Sequence, residues 1–152
     1  MDAYINKVMI SLREITTNNF WDIIDLKVKD DQIDLVTSNA VSIAQSKVQP
    51  ECIPLGIYKD DTPVGFLMYC IDRDDGNYWI YRLMIDKNYQ GNGYAKEAMN
   101  IIINIIKADK SKHQILLGVD KDGDISIKLY ERLGFVFNGQ VFGKESIMQL
   151  GY

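Results

Sequence analysis

The stretch that most constrains the fold is a strand-like run, residues 78–85, which leads into Gln90-Gly91-Asn92-Gly93 and then a long helical pattern, residues 94–107. Glycine adopts backbone conformations closed to other residues, so this spacing predicts a tight turn between a strand and a helix. The first N–H groups of a helix lack intrahelical partners and carry partial positive charge. The stretch therefore predicts a site for a phosphate-bearing cofactor. A tight turn without a ligand is the alternative.

The spacing disfavours two well-known nucleotide loops. A P-loop needs Lys and then Ser or Thr directly after its last glycine, whereas Tyr94 and Ala95 stand there. A dinucleotide-binding loop needs a third glycine, where this chain has Lys96, and it usually opens a βαβ unit. Here the turn follows a set of strands that we expect to be antiparallel.

The remaining elements follow from hydrophobic periodicity. The pattern predicts a strand over residues 8–15, helices from residue 20 and over 38–48, antiparallel strands over 55–59, 64–71 and 78–85, a helix over 94–107, a strand over 114–119, a helix near 125–133, and strands over 135–141 and 146–150. This order predicts an α+β fold in α/β/α layers, with a mixed, mostly antiparallel sheet of about seven strands and helices on both faces. We expect one domain over residues 1–152, because no linker divides the chain.

Apolar residues at helical spacing predict the buried side of two helices. In the helix over 38–48 these are Ala40, Val41, Ala44 and Val48. In the last helix they are Ile125, Leu129 and Leu133.

Composition narrows the partners. The net charge of −4 argues against nucleic acid, because phosphate binding favours a basic face. No apolar run approaches the roughly 20 residues that span a bilayer, and the N-terminus shows no signal-peptide pattern. Cys52 and Cys70 have neither metal-ligand nor disulfide spacing. We expect buried free thiols, no metal, and a reducing, cytoplasmic compartment.

Two motifs occur in order along the chain. The first, Gln90-Gly91-Asn92-Gly93-Tyr94-Ala95, has the form Gln/Arg-x-x-Gly-x-Gly/Ala. The second is Leu129-Tyr130-Glu131-Arg132-Leu133-Gly134-Phe135. Together with the order of elements over nearly the whole chain, they resemble the GNAT superfamily, the Gcn5-related N-acetyltransferases. The resemblance implies the GNAT fold, acetyl-CoA as cosubstrate, and direct acetyl transfer to an amine without a covalent enzyme intermediate.

The resemblance also implies how acetyl-CoA is held. Backbone groups before the turn would hold the pantetheine arm, the turn itself would hold the pyrophosphate, and the start of the last helix would flank the cofactor. These cofactor residues are Leu83, Met84, Ile85, Gln90, Gly91, Asn92, Gly93, Tyr94, Ala95, Lys96, Gly123 and Ser126. By the same resemblance, many family members have asparagine where this chain has Gly123. We expect the loop hydrogen bonds that this asparagine makes to be missing here or to be supplied by Asp122 or Asp124.

Catalytic roles follow by the same resemblance. Tyr130 is the expected general acid that protonates the leaving thiolate. Related polyamine acetyltransferases often have an acidic residue where this chain has Tyr81, so no general base is assigned. Tyr81 would order water, contact the amine through a cation–π interaction, or simply face solvent. Strand alternation predicts that Arg82 points to the opposite face from Tyr81.

The acceptor is the least constrained part. Residues 32–45, 53–58 and 64–69 are similar to the corresponding segments of bacterial spermine/spermidine acetyltransferases. A multiply protonated polyamine calls for carboxylates, and the substrate candidates are Tyr81, Gln32, Glu51 and Asp72. For Asp72 the alternative is a solvated turn. Another amine (an aminoglycoside, an amino acid or a peptide N-terminus) and a silent CoA-binding module stay open, as does a homodimer formed through residues 141–150.

Overall fold

A computed structural model describes residues 9–152. Its elements are β1 (Ile10–Glu14), α1 (Phe20–Asp25), a 3-10 helix (Asp30–Leu35), α2 (Asn39–Val48), β2 (Ile53–Lys59), β3 (Thr62–Ile71), β4 (Tyr78–Ile85), α3 (Tyr94–Lys107), β5 (Gln114–Asp120), α4 (Asp124–Arg132), β6 (Val136–Phe142) and β7 (Glu145–Gly151). Element types and order agree with the sequence pattern, apart from the unforeseen 3-10 helix. Val8, the expected start of the first strand, lies outside the described residues.

The strands form a seven-stranded sheet in the order β1-β2-β3-β4-β5-β7-β6. Neighbours pair antiparallel except for β4 and β5, which are parallel. The parallel pairing covers only Tyr78 to Ile80 of β4, opposite Ile115 to Leu117 of β5. Beyond Ile80 the two strands separate and leave an opening in the middle of the sheet.

An apolar layer packs on each face of the sheet. Residues of α3 and α4, including Met99, Ile102 and Tyr130, pack with the sheet in the larger cluster. Ile23 of α1 packs with Phe66 and other residues in the smaller one. The mixed sheet with helices on both faces confirms the expected α+β architecture.

The predicted buried face of α2 is wrong. Ala40, Val41, Ala44 and Val48 are exposed, Val48 by 78%. The helix instead turns Asn39 and Ser42 inward. The Asn39 side-chain amide donates a 2.9 Å hydrogen bond to the carbonyl of Ile23. This hydrogen bond to α1 sets which side of α2 faces inward, and the spacing of the apolar residues does not.

The predicted face of α4 is wrong at its first turn. Ile125 is 78% exposed, whereas Leu129 and Leu133 pack against the larger cluster as expected. Ile127 and Tyr130, three residues apart, complete the buried side.

A buried carboxylate fixes the loop after α1. Asp86, directly after β4, accepts a 2.8 Å hydrogen bond from the N–H of Lys27 and a 3.0 Å bond from the N–H of Asn88. The Lys87 N–H returns a 2.8 Å bond to the carbonyl of Lys27. These bonds hold the α1 loop against the entrance to the glycine turn, where sequence reasoning assigned nothing to Asp86.

Candidate active site

The glycine turn presents uncovered amides. Gly91 and Gly93 have φ angles of 81° and 79°, in the left-handed region that other residues rarely adopt. A Cβ added at either position would meet no atom within 4 Å, so the backbone conformation and not crowding requires glycine. Gly93 caps the N-terminus of α3 without a side-chain hydrogen bond, and the Tyr94 side chain is buried in the core. The first amides of α3 are therefore open to an anion.

The Gln90 side chain points inward. Its amide donates a 2.9 Å bond to the carbonyl of Ile85 and a 2.8 Å bond to Gln32, and the Gln32 amide donates a 3.2 Å bond back to Gln90. This pair joins the 3-10 helix to the turn. Gln32, which the sequence placed among the acceptor candidates, thus lies against the glycine turn.

The second half of β4 has one free edge. Leu83, Met84 and Ile85 pair with β3 on one side. The pairing with β5 ends at Ile80, so within residues 9–152 the opposite backbone edge has no strand partner. A free edge of this kind can bond an extended amide-bearing group.

The loop before α4 is closed by Asp120. Its carboxylate accepts a 2.9 Å bond from the N–H of Asp122, and its carbonyl accepts a 2.9 Å bond from the N–H of Gly123. The prediction was that such loop bonds are missing or supplied by Asp122 or Asp124. Over residues 9–152 neither of these two side chains accepts a hydrogen bond, and Asp120 at the end of β5 accepts both bonds named above. A Cβ at Gly123 would stand 3.1 Å from the Asp120 carbonyl and 3.9 Å from the Cβ of Ser126, in the first turn of α4.

Tyr130 lies in α4 with only 8% of its surface exposed. Its ring makes an edge contact with Phe135, with centroids 6.0 Å apart. Burial, and secondarily the charge of Glu145, raise the pKa of Tyr130 above that of an ordinary tyrosine. The phenol therefore keeps its proton throughout the neutral range and stays available as a donor.

Tyr81 donates a 2.5 Å hydrogen bond to the Asp72 carboxylate. Burial, then this bond, raise the pKa of Tyr81. Burial alone would raise the pKa of Asp72, but the bonds from Tyr81 and from the amides of Asp74 and Asp75 outweigh it and lower that pKa. The Tyr81 hydroxyl thus keeps its proton and donates its hydrogen bond to Asp72, so Tyr81 cannot act as a base.

Arg82 lies on the same face as Tyr81, so the expected alternation is wrong here. Met68 pairs with Arg82 and Tyr69 with Ile80, which leaves Tyr81 as an extra residue in a β-bulge. The Arg82 guanidinium donates a 2.9 Å bond to Gln45 of α2 and another to the carbonyl of Tyr81.

A cleft of about 220 Å³ opens where β4 and β5 separate. It is lined by Gln45, Trp79, Ile80, Tyr81, Arg82, Gly118, Phe142, Glu145 and Ile147. Of the predicted substrate residues, only Tyr81 lines it. Asp72 lies behind Tyr81 as its hydrogen-bond partner, and Glu51 forms a 3.3 Å ion pair with Arg73.

Glu145 is the charged cleft residue, besides Arg82, that the sequence did not indicate as a site residue. It opens β7, and its side chain extends across Gly118 of β5. A Cβ at Gly118 would overlap the Glu145 carboxylate and stand 3.3 Å from its Cβ. The available signal was the glycine inside an otherwise apolar strand, which marks a close approach.

The two cysteines match their expected state. Cys52 and Cys70 are free and buried, and burial raises the pKa of Cys70 to about 12. Over residues 9–152, no three His, Cys, Asp or Glu side chains gather as a metal site. In the same range no helix is long and apolar enough to cross a membrane.

Comparison with known proteins decides the family. The model of the Acetyltransferase (GNAT) family matches residues 18–135, which include both motifs, the free β4 edge and Tyr130. This chain belongs to the GNAT family. As a GNAT acetyltransferase it shares the fold and the class of activity that the two motifs imply.

Two curated relatives and one solved structure are similar to this GNAT chain. A probable spermine N(1)-acetyltransferase from Bacillus subtilis subsp. natto is 32% identical, and a spermine/spermidine N(1)-acetyltransferase from Bacillus subtilis strain 168 is 31% identical. Each alignment covers 91% of this chain and 96% of the relative. The solved structure is a spermidine N-acetyltransferase from Vibrio cholerae in complex with CoA and spermine, with a TM-score of 0.72 and 16% sequence identity. The superposition covers 93% of this chain and 95% of the Vibrio cholerae chain.

Proposed function

We propose that this protein transfers the acetyl group of acetyl-CoA to a primary amine of a small polyamine, such as spermidine or spermine, by direct attack in a ternary complex. One observation carries the proposal: two relatives named for spermine acetylation align over 96% of their length at 31–32% identity. Alignment of this extent includes the acceptor side of the fold as well as the cofactor side.

The cofactor side of the proposal rests on backbone geometry. The amides at Gly91, Gly93 and the start of α3 fit a pyrophosphate, because they are uncovered and lie at a helix N-terminus. The free edge at Leu83 to Ile85 fits the amide-bearing pantetheine arm. Gly123 and Ser126 stand at the first turn of α4, where they would flank the thioester end.

In this scheme Tyr130 is the general acid. When bound, acetyl-CoA supplies the thioester, and Tyr130 gives its proton to the departing sulfur. A phenol with a raised pKa holds that proton until basic charge develops beside it. No enzyme nucleophile is needed, because the amine attacks directly.

A second acceptor class is favoured by one observation. Arg82 and Gln45 put a guanidinium and an amide in the same cleft as Tyr81. A guanidinium repels ammonium groups but binds a carboxylate or carbonyl. An amino acid or a peptide N-terminus is therefore the alternative acceptor.

The test is release of CoA thiol from acetyl-CoA with spermidine, spermine, a diamine, an aminoglycoside, an amino acid and a short peptide. We expect the highest kcat/KM with a polyamine. Preference for the amino acid or peptide would replace the polyamine by the alternative. CoA binding by calorimetry without turnover on any amine would make the chain a silent CoA-binding module.

The wider setting is part of the same proposal. Residues 1–152 form a single catalytic domain, and the partner is a small amine and not nucleic acid, in keeping with the net charge of −4. The buried free thiols fit a reducing, cytoplasmic compartment.

A further inference from the structure

The acceptor cleft needs a group that removes protons from the amine. At neutral pH a primary amine is protonated, and an ammonium nitrogen has no lone pair with which to attack a thioester. Tyr81 of β4 lines the cleft but cannot be this group, because its hydroxyl donates its hydrogen bond to Asp72. Asp72 itself does not line the cleft.

Among the described residues, 9–152, Glu145 is the only carboxylate that lines this cleft. Within residues 9–152 its side chain has neither a hydrogen-bond partner nor an ion-pair partner, so its oxygens are free to accept protons from a ligand. It is exposed, so a proton taken from the amine can pass on to solvent.

The position of Glu145 is set by the sheet. In the pairing of β5 with β7, Glu145 lies opposite Asp120 and Ile147 lies opposite Gly118. Glu145 and Ile147 are two residues apart on β7, so their side chains point to the same face of the sheet, and both line the cleft. Gly118 provides the space under the carboxylate. The negative charge of Glu145 also contributes, after burial, to the raised pKa of Tyr130.

We propose that Glu145 binds the acceptor amine and serves as the general base of acetyl transfer. This inference rests on the proposed function. Glu145 first takes a proton from the ammonium and releases it to solvent. The neutral nitrogen then forms the C–N bond while the C–S bond breaks, Tyr130 protonates the sulfur, and Glu145 takes the second amine proton and restores Tyr130. In sum, an ammonium and a thioester give an amide, a thiol and one free proton.

Other charged groups face this site. Arg82 and Tyr81 lie across the cleft on β4, and Asp120 is paired with Glu145 on β5. Tyr130 of α4 does not line the cleft, but its pKa is raised in part by the charge of Glu145. Arg82 is bonded to Gln45 and to the Tyr81 carbonyl. It adds positive charge that favours the neutral amine but accepts no proton.

The test compares Glu145→Gln, Glu145→Asp and Gly118→Ala with wild type, using spermidine or the amine of the panel that is turned over fastest. Glu145→Gln keeps the shape and removes the base, so kcat at neutral pH should fall by about 10²–10⁴-fold. Glu145→Asp should recover part of this loss. In Gly118→Ala the new methyl displaces the carboxylate, so kcat should also fall although Glu145 is intact. Glu14→Gln, on β1 at the far edge of the sheet, is the matched control and should keep wild-type kcat.

Two further readouts separate chemistry from folding. In Glu145→Gln the rate should rise about tenfold per pH unit toward the pKa of the amine, because only amine already neutral in solution reacts, whereas wild type levels off. By calorimetry, Glu145→Gln should bind acetyl-CoA as wild type does, and its CoA-bound form should bind the amine several-fold more weakly. Wild-type kcat and amine binding in Glu145→Gln would overturn this inference alone. A wild-type protein that acetylates no amine would overturn it together with the proposed function.

Discussion

At the scale of single residues, Tyr130 combines burial with a raised pKa, which suits a proton donor more than a base. Tyr130→Phe keeps the ring and its contact with Phe135 but removes the proton. We expect kcat to fall about 10²–10⁴-fold with little change in the Kd of acetyl-CoA, measured by steady-state kinetics and calorimetry. Tyr69→Phe, a half-buried tyrosine on the same face, is the control and should keep its activity. Equal kcat in both variants would remove Tyr130 from the acid role.

The bond between Tyr81 and Asp72 makes stability depend on pH. The pKa of Asp72 is lower in the folded protein than in the unfolded chain, where it is near 4. The ionised Asp72 therefore stabilises the fold fully above the unfolded pKa, and this stabilisation is lost as the pH falls through the folded pKa. Tyr81→Phe should lower the free energy of unfolding by about 1 kcal/mol at pH 7, because the pair is partly exposed. The difference should narrow below about pH 4, as measured by urea unfolding.

Tyr78→Phe is the control for this pH effect. It also removes a tyrosine–aspartate bond, 3.0 Å long, to Asp109. Asp109 keeps the two bonds from Ser111 that chiefly lower its pKa, so the variant should show a weaker dependence on pH. The same narrowing in both variants would contradict the account given for Asp72.

At the scale of elements, the glycine turn should separate binding from folding. Alanine at Gly91 or Gly93 must adopt φ near +80°, which costs about 1–2 kcal/mol. We expect this loss of stability together with at least tenfold weaker acetyl-CoA binding by calorimetry, because the strained turn shifts the amides. Gly139→Ala in β6 has a φ of 87° and equally open surroundings, so it should cost similar stability without loss of binding. Equal binding losses at all three sites would mean that the turn has no special role.

Element-scale features also show what the sequence could predict. The strand, turn and helix around Gln90 are encoded locally by apolar spacing and glycine, and they were predictable. The face to which Arg82 points was not predictable, because it depends on a bulge in the pairing of β4 with β3. The buried side of α2 was not predictable either, because the bond from Asn39 to Ile23 forms only in the tertiary structure. Glu145 was missed for the same reason, since the register that brings β7 against Gly118 is non-local.

At the scale of the whole molecule, β6 is the outer strand of the sheet and, in the part of the chain that the structure describes, pairs only with β7. Its apolar side chains are exposed, among them Val136 and Val141 at 58% and 63%. A long apolar edge strand tends to pair with another chain. We therefore propose that two copies associate through β6 and β7, next to the cleft that Phe142 and Glu145 line.

This association is tested by light scattering after gel filtration. Wild type should have the mass of two chains, and the double variant Val136→Lys/Val141→Lys the mass of one, because charges on the edge prevent strand pairing. Val48→Lys removes the apolar side chain that is 78% exposed on α2 and is the control, so it should remain a dimer. A wild-type mass of one chain at micromolar concentration would contradict the edge interface. If the double variant is monomeric yet keeps wild-type kcat, each cleft works by itself and Glu145 needs no help from the second copy.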